Sequence, residues 1–306
     1  MRNALVLSGG GAWGSWQVGA CEHLVLERGL WFDVISGVSV GAINGAALAH
    51  GHDRNGLQAH FRRLRDWWFA VRGNHNVYRR RPNAALGMAL GRWDSLFDVA
   101  PLRDEVLARE IDPVQVAASP VRLCVGYVDL RTRRYRMATN DHPRLRDALL
   151  ASATIPLLFP LAKFPDSEDL GVDGGLHHAA PLDDALAMLA AMPPEPEPPD
   201  VWVLLLNPRV PSKSVGWFKR LLGFAGPSLK ISRAPWHWGH TRPSESLLLT
   251  GQFGERPFTA RLHVLRPDHA PDGTVLDFDP AIIRTSYADG LKIARRTTAR
   301  AAREAA

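Results

Sequence analysis

The sequence predicts an α/β fold of three layers, in which a central, mostly parallel sheet is flanked by helices. The first observation is a unit of short apolar strand, glycine-rich turn and helix that occurs twice, over 5–28 and 34–50. The second is a pair of later runs, 121–130 and 201–206, that are largely apolar, as is typical of strands buried on both faces of a sheet. A chain of 306 residues, 46% of them hydrophobic, can fill a substantial core.

The first unit contains a run of glycines between its strand and its helix. Residues 5–7 form a short buried strand, Gly9, Gly10 and Gly11 follow it, and residues 15–28 carry apolar side chains at helical spacing. Bare backbone before a helix suits three ligands: a dinucleotide, a nucleotide phosphate or the oxyanion of an acyl intermediate.

Two of these three interpretations lack a residue that they need. A dinucleotide site needs a carboxylate at the end of the second strand, where Ser36 and Gly37 stand, while Asp33 precedes that strand. A phosphate loop needs a lysine after its second glycine, and Gly14 is followed by Ser15. The sequence therefore favours the oxyanion.

The second unit has the pattern G-x-S-x-G in its turn. Gly37 and Gly41 flank Ser39 between a strand and a helix, which is the context in which this pattern exposes a nucleophilic serine. The alternative is a tight turn with an incidental serine. If the first two strands are parallel neighbours, their loops open at one sheet edge, and the amides of Gly10 and Gly11 can face an oxyanion at Ser39.

The rest of the chain extends the same architecture. In chain order we predict a helical insertion or cap over 55–98, strands over 121–130 and 133–139, a helix over 143–156, a proline-rich surface linker over 193–200, a strand of the same sheet over 201–206, and a surface helix over 280–302. All of this forms one domain, 1–306, whose motif-bearing core covers about 4–206 and whose extension, 207–306, contains helices and strands.

A serine nucleophile needs a base, and two kinds are available. An α/β-hydrolase takes a downstream histidine, but its serine follows several strands, whereas Ser39 follows the second. The candidate histidines are His177, His178, His237, His240, His263 and His269. The other candidate is Asp173, which leaves a short apolar run and precedes Gly174 and Gly175; a plain Asp-Gly turn is the alternative.

Four segments together resemble the patatin-like phospholipases: "GGGAWG", "GVSVG", "ASATIPLLFP" and "DGG", in the family's order over roughly residues 4 to 206. The resemblance implies a patatin-like fold and a Ser-Asp dyad, with Ser39 as nucleophile and Asp173 as base. It implies an oxyanion hole of backbone amides in the loop of Gly9, Gly10 and Gly11. The elbow and the loop around the base are supported by Gly37, Gly41, Gly174 and Gly175.

The resemblance also implies an activity, the hydrolysis of fatty-acyl esters in phospholipid or lysophospholipid, with no metal and no organic cofactor. A carboxylate is a weak base for an alcohol, so Asp173 is expected to be partly desolvated and in contact with Ser39.

Two positions depart from the family pattern. Trp13 stands where the family usually has Arg or Lys, and residues 177–180 read His-His-Ala-Ala where asparagines often occur. The first change removes a positive charge near the oxyanion loop, unless Trp13 lines the acyl site instead. A second hypothesis is therefore a catalytically weak binding or regulatory protein on the same scaffold. A third, a nucleotide-dependent enzyme, rests on the glycine spacing alone.

Composition bounds the partners and the compartment. A net charge of +6 without any nucleic-acid-binding motif predicts no nucleic-acid partner. Two cysteines are too few for a disulfide framework, and no apolar run is long enough for a signal peptide or a membrane span, so we expect a cytoplasmic protein.

Segment 213–240 carries five Lys or Arg residues, five aromatic residues and no acid. Two interpretations stay open for it: peripheral contact with the inner membrane surface, with reversible docking through its basic and aromatic side chains, or an aromatic helix face buried on the sheet.

Overall fold

The computed structural model describes residues 1–209, 247–253 and 256–304. Both interpretations of segment 213–240 therefore concern residues outside the described ranges. The strands are β1 Asn3–Leu7, β2 Val34–Val38, β3 Arg79–Arg80, β4 Phe97–Asp98, β5 Arg122–Asp129, β6 Arg134–Thr139, β7 Ala162–Lys163, β8 Leu170–Asp173, β9 Asp200–Leu204, β10 Leu247–Phe253 and β11 Arg256–Leu265. The helices are α1 Gly14–Glu22, α2 Val40–Leu48, α3 Arg54–Ala70, α4 Ala84–Ala89, α5 Ala108–Glu110, α6 Pro113–Ala118, α7 Leu145–Ser152, α8 Leu182–Ala190 and α9 Pro280–Glu304.

The described residues contain one large mixed sheet of nine strands. Its order is β10–β11–β9–β1–β2–β5–β8–β7, and β6 also pairs with β5. The central strands β11, β9, β1, β2 and β5 are parallel to their neighbours in this series. The predicted mostly parallel sheet is confirmed, as is the place of the strand after the proline-rich linker, because β9 pairs with β1.

Helices cover both faces of the sheet because the strand side chains alternate. In β1, Leu5 and Leu7 belong to the core cluster that includes Trp16 of α1, whereas Ala4 and Val6 belong to the cluster that includes α8. The expected three layers are confirmed.

The last helix packs closely on the first. A Cβ on Gly19 would lie 1.9 Å from the Tyr287 carbonyl oxygen, and one on Gly290 would lie 2.0 Å from the Trp16 oxygen, so only glycines permit this approach. The Trp16 indole also donates to Asp289 over 2.9 Å. The C-terminal helix is thus fixed against the helix that follows the glycine loop.

Three elements differ from the sequence prediction. Helix α7 ends at Ser152 and so does not reach Pro156. Turns connect α7 to strand β7. The region 55–98 is a cap, as expected, but it also contains β3 and β4, which form a separate two-stranded sheet. The short run before Asp173 is strand β8, which pairs antiparallel with β5 and so belongs to the main sheet.

Among the residues that the structure describes, no helix has the length and the apolar composition needed to cross a bilayer.

Candidate active site

The long strand β5 brings the predicted nucleophile and base together. Its first half pairs with β2, with Val38 opposite Gly126, and its second half pairs with β8, with Tyr127 opposite Asp173. The strand β6 occupies the other edge of β5, so β2 and β8 follow each other along the same edge. Asp173 therefore ends β8 beside the point where Ser39 leaves β2.

Ser39 occupies a strained turn. Its backbone has φ 55° and ψ −132°, a conformation that a residue with a side chain rarely adopts. The flanking glycines are needed for close packing: a Cβ on Gly41 would lie 2.4 Å from the Leu7 oxygen, and one on Gly37 would lie 2.5 Å from the Gly41 oxygen. The turn matches the elbow that the sequence predicts, and the side chain is largely buried.

Ser152, which the sequence analysis did not single out, holds this turn. The Ser39 amide donates to the Ser152 hydroxyl oxygen over 2.8 Å, and the Ser152 hydroxyl donates to the Gly126 carbonyl over 2.6 Å. Ser152 is fully buried at the end of α7. The only sequence signal for it is its place in the segment "ASATIPLLFP"; the serine itself looks like any helix-terminal residue.

Asp173 is a buried carboxylate beside Ser39. It accepts a hydrogen bond from the Gly175 amide over 2.7 Å, and its interaction with the Ser39 side chain lowers its pKa. Burial is the largest effect on this group and raises its pKa to about 6, while these two interactions oppose the rise. The expected desolvation and contact with Ser39 are both present.

The glycine loop lies directly over the serine, and its three amides are not equivalent. A Cβ on Gly9 would lie 3.0 Å from the Ser39 Cβ, but the Gly9 amide donates to the Ala179 carbonyl over 3.2 Å. This amide is therefore engaged, contrary to the expectation that all three glycines supply oxyanion donors. Within the described ranges, no backbone carbonyl accepts from the amides of Gly10 or Gly11.

A segment of the C-terminal extension fixes the shape of the glycine loop. Gly11 has φ 53°, and a Cβ there would lie 2.0 Å from the Val275 carbonyl oxygen. The same oxygen accepts from the Ala12 amide over 2.8 Å. The Val275 carbonyl thus packs directly against the loop backbone, and only glycine fits at position 11.

These groups open into a cavity of about 200 Å³. Its wall combines the polar groups described above with apolar side chains. The lining residues are Ser8, Gly9, Gly10, Gly11, Ser39, Ile155, Asp173, Gly175, Leu176, Ala179, Leu205, Asn207 and Val275.

Trp13 is not one of the described residues that line this cavity. It is 7% exposed and packs in the core cluster of α1, so the suggestion that it lines the acyl site is not supported. Its presence leaves the loop without the cation that the family usually has at this position.

The loop after Asp173 has its own support despite the missing asparagines. The ring of His178 packs edge-on against Tyr135, with centroids 4.5 Å apart, and the Tyr135 hydroxyl donates to Asp184 of α8 over 2.5 Å. Farther along, the Pro181 carbonyl accepts from the Ser36 hydroxyl over 3.0 Å. The loop after Asp173 is thus held by an aromatic contact and by hydrogen bonds of its neighbours.

No cluster of three or more potential metal ligands from His, Cys, Asp and Glu occurs within residues 1–209, 247–253 and 256–304. The polar side chains of the described residues in the cavity wall are those of Ser8, Ser39, Asp173 and Asn207.

The sequence matches a family model described as patatin-like phospholipase over residues 5–186. Among curated proteins it is similar to a cGAMP-activated phospholipase of Vibrio cholerae, with 26% identity over 195 residues, 56% of this chain and 53% of the relative. The chain thus spans about half the length of that relative.

Among solved structures, the fold is similar to VipD from Legionella pneumophila, with TM-score 0.48, 14% identity and coverage of 97% of this chain and 66% of that one. It is also similar to a chain of the ExoU-SpcU complex from Pseudomonas aeruginosa, with TM-score 0.32, 17% identity and coverage of 72% and 49%.

Proposed function

This chain belongs to the patatin-like phospholipase family, and we propose that it is a serine lipid acyl hydrolase that cleaves fatty-acyl esters through an acyl-enzyme. The observation that carries the proposal is the position of Ser39 and the buried Asp173 carboxylate, which interact with each other at the wall of a cavity that the glycine loop also lines. The family supports a lipid substrate, and the dyad is our assignment.

In the first half-reaction, Asp173 takes the proton of Ser39 as its oxygen attacks the acyl carbonyl carbon. The amides of Gly10 and Gly11 donate to the developing oxyanion, and the strained turn presents the nucleophile without further rearrangement. When the tetrahedral intermediate collapses, the ester C–O bond breaks. The leaving alcohol, a lysolipid or a glycerol derivative, takes the proton back from Asp173.

The second half-reaction repeats these roles with water. Asp173 removes a proton from a water molecule, the water oxygen attacks the acyl-enzyme carbonyl, and the same two amides hold the oxyanion. Breakage of the bond to Ser39 releases the fatty acid, and the proton held by Asp173 returns to the serine oxygen. The cycle consumes one water and needs no group beyond those in this chain.

The test is covalent labelling followed by a lipid panel. A fluorophosphonate probe is expected to modify wild-type protein at Ser39, located by peptide mass spectrometry, and not to modify Ser39→Ala. Phospholipids, lysophospholipids and acylglycerols then define the substrate. Labelling at another serine, or no labelling of folded protein, would contradict the proposal.

One observation supports a second candidate, a catalytically weak binding or regulatory protein. Trp13 occupies the position of the family's cation and leaves its surroundings uncharged. In that case the probe reacts slowly, and Trp13→Arg increases the rate of labelling.

A further inference from the structure

The outer face of helix α4 is apolar instead of polar. Ala84 and Gly87 are its buried positions, while Leu86 is 60% exposed and Leu90, the residue that ends the helix, is 73% exposed. The sequence has no charged residue from 83 to 91. A helix on a protein surface normally has charged and polar residues on its outer face, so this helix shows the reverse of the usual pattern.

The orientation of this helix is fixed by the residue that follows its turn. A Cβ on Gly87 would lie 2.2 Å from the Trp93 ring, and the Arg92 amide donates to the Gly87 carbonyl over 2.8 Å. The indole therefore packs against the inner side of α4. Leu86 and Leu90 lie outside this packed side and are exposed.

The segment that contains the leucines also carries a basic rim. Residues 79–93 contain four arginines and no Asp or Glu. Arg81 and Arg92 lie over the Trp93 ring, 5.6 and 5.5 Å from its centroid, and Arg79 and Arg80 are exposed on β3. Arg79 has a carboxylate of Glu105 at 3.6 Å and Arg81 one of Asp98 at 3.8 Å, so these two charges are paired and the rim keeps the positive charges of Arg80 and Arg92.

This region is joined to the wall of the active-site cavity. The amides of Leu96 and Phe97 donate to the carbonyls of Leu157 and Leu158, each over 2.9 Å. Leu157 is 54% exposed and has φ 69°, so a large apolar side chain is held outward in a backbone conformation that costs free energy. Two residues before it, Ile155 lines the cavity.

We propose that residues 79–93 together with Leu157, the α4 surface, form a docking site for an anionic lipid bilayer. The leucines insert at the boundary of headgroups and acyl chains, and the arginines bind lipid phosphates. An anionic bilayer fits this surface because an exposed apolar centre and a basic rim occur together, next to the cavity that we assign to a lipid substrate. This surface goes beyond the proposed hydrolase activity, and its binding is measurable without turnover.

The experiment is sedimentation of the full chain with vesicles of ether-linked lipids, which an ester hydrolase does not cleave. We expect wild type to bind vesicles that contain phosphatidylglycerol, and to bind at least about tenfold less to pure phosphatidylcholine vesicles or in high salt. The variant Leu86→Ser/Leu90→Ser is expected to lose at least about tenfold in partitioning. Hydrolysis of a soluble short-chain ester is expected to be unchanged in this variant, which separates docking from the chemistry of Ser39.

Matched controls show whether vesicle binding depends on the α4 surface or on exposed apolar and basic side chains anywhere in the protein. Val114→Ser/Leu248→Ser removes two exposed apolar side chains elsewhere, which are 77% and 57% exposed, and is expected to bind like wild type. Arg80→Glu/Arg92→Glu is expected to abolish the preference for anionic vesicles. Arg54→Glu/Arg122→Glu makes the same charge change at exposed positions outside the surface and is expected to retain it.

Three results would overturn the proposal. They are equal vesicle binding by wild type and the leucine variant, no vesicle binding by wild type, and a change of oligomeric state in the leucine variant without a change in vesicle binding. The last result would identify the surface as a contact between copies of this chain. If wild type is not labelled by the fluorophosphonate at Ser39, the proposed function is contradicted. The result for vesicle binding is independent of that outcome.

Discussion

Asp173 and Asp184 are two buried carboxyl groups with nearly the same electrostatics. Burial raises the pKa of each to about 6, and an interaction with a hydroxyl side chain partly opposes the rise in each case. The side chain is Ser39 for Asp173 and Tyr135, which donates a hydrogen bond, for Asp184. A raised pKa therefore does not by itself separate a base from a structural acid in this protein.

What separates the two groups is their surroundings. Asp173 lines a cavity, and its neighbouring hydroxyl belongs to a serine in a strained turn beneath a glycine loop. Asp184 lies on α8, and the pKa of its donor, Tyr135, is raised well above the ordinary value by burial and by Asp184 itself. The phenol is thus a poor proton donor at neutral pH. Access and the state of the neighbouring hydroxyl, not the carboxyl pKa, are the grounds for proposing Asp173 and not Asp184 as the base.

The sharpest test of this contrast is the isosteric replacement of each carboxyl. Asp173→Asn is expected to lower kcat by at least about 10³-fold, as is Ser39→Ala, and the double variant should resemble either single one because the pair acts as a unit. Asp184→Asn is expected to keep kcat within about threefold, since the amide oxygen still accepts from Tyr135. Turnover of a chromogenic acyl ester measures all four. Equal losses at Asp173 and Asp184 would remove the distinction.

The next test concerns Ser152, whose hydroxyl oxygen accepts from the Ser39 amide and supports the turn. Ser152→Ala removes the acceptor of the Ser39 amide and leaves the Gly126 carbonyl without its donor, which costs about 1–3 kcal/mol for buried groups. We expect kcat to fall about 10- to 100-fold with little change in KM, because the turn that presents the nucleophile loosens.

Thr154→Val is the matched control for Ser152→Ala. It removes a buried hydroxyl that bonds to the Leu150 carbonyl and keeps the backbone carbonyl that accepts from the Asp173 amide. Comparable losses of kcat in the two variants, or a loss in Ser152→Ala explained by unfolding in circular dichroism, would contradict a positioning role for Ser152.

The pH profile sharpens the comparison further. Asp173 acts as a base only when deprotonated, and its pKa is raised to about 6, so kcat/KM should be constant above that pH and fall tenfold per unit below it. A carboxylate with an ordinary pKa would retain activity to about pH 4. Asp184→Asn should leave the profile in place. A profile that is flat down to pH 5, or one that shifts in Asp184→Asn, would exclude Asp173 as the titrating group.

The smallest expected effect is on stability. A carboxyl whose pKa is higher in the folded state than in the unfolded state favours folding when protonated, so its contribution is complete below about pH 4 and is lost as the pH rises through about 6. Asp184→Asn removes one such group. Relative to wild type, we expect this variant to gain about 1–3 kcal/mol between pH 4 and pH 8 in urea unfolding. If the free energy of unfolding of this variant, relative to wild type, is the same at pH 8 as at pH 4, or is lower at pH 8, the predicted linkage is wrong.

Much of the fold follows from local sequence, as does the part of the site formed by the glycine loop and the elbow around Ser39. The repeated strand-glycine-helix unit predicts β1 and β2 as parallel neighbours, and this is confirmed. The pattern of the elbow around Ser39 is also local, because its flanking glycines and the following helix are neighbours in the sequence. Strand β8 was not predicted as a strand of the sheet, since four residues that lie between turns have too little pattern to distinguish a strand from a loop.

Sequence by itself thus determined the family pattern, the nucleophile candidate and the glycine loop, because each depends on residues within a few positions of one another. Only the tertiary structure decided the rest. The neighbourhood of Asp173 and Ser39 depends on two strands that share one edge of β5, the shape of the glycine loop depends on Val275, and the strained turn depends on Ser152. Ser152, Asp173 and Val275 are each more than 100 residues from Ser39 in the sequence. Spacing along the chain does not indicate which of such distant groups pack together in the fold.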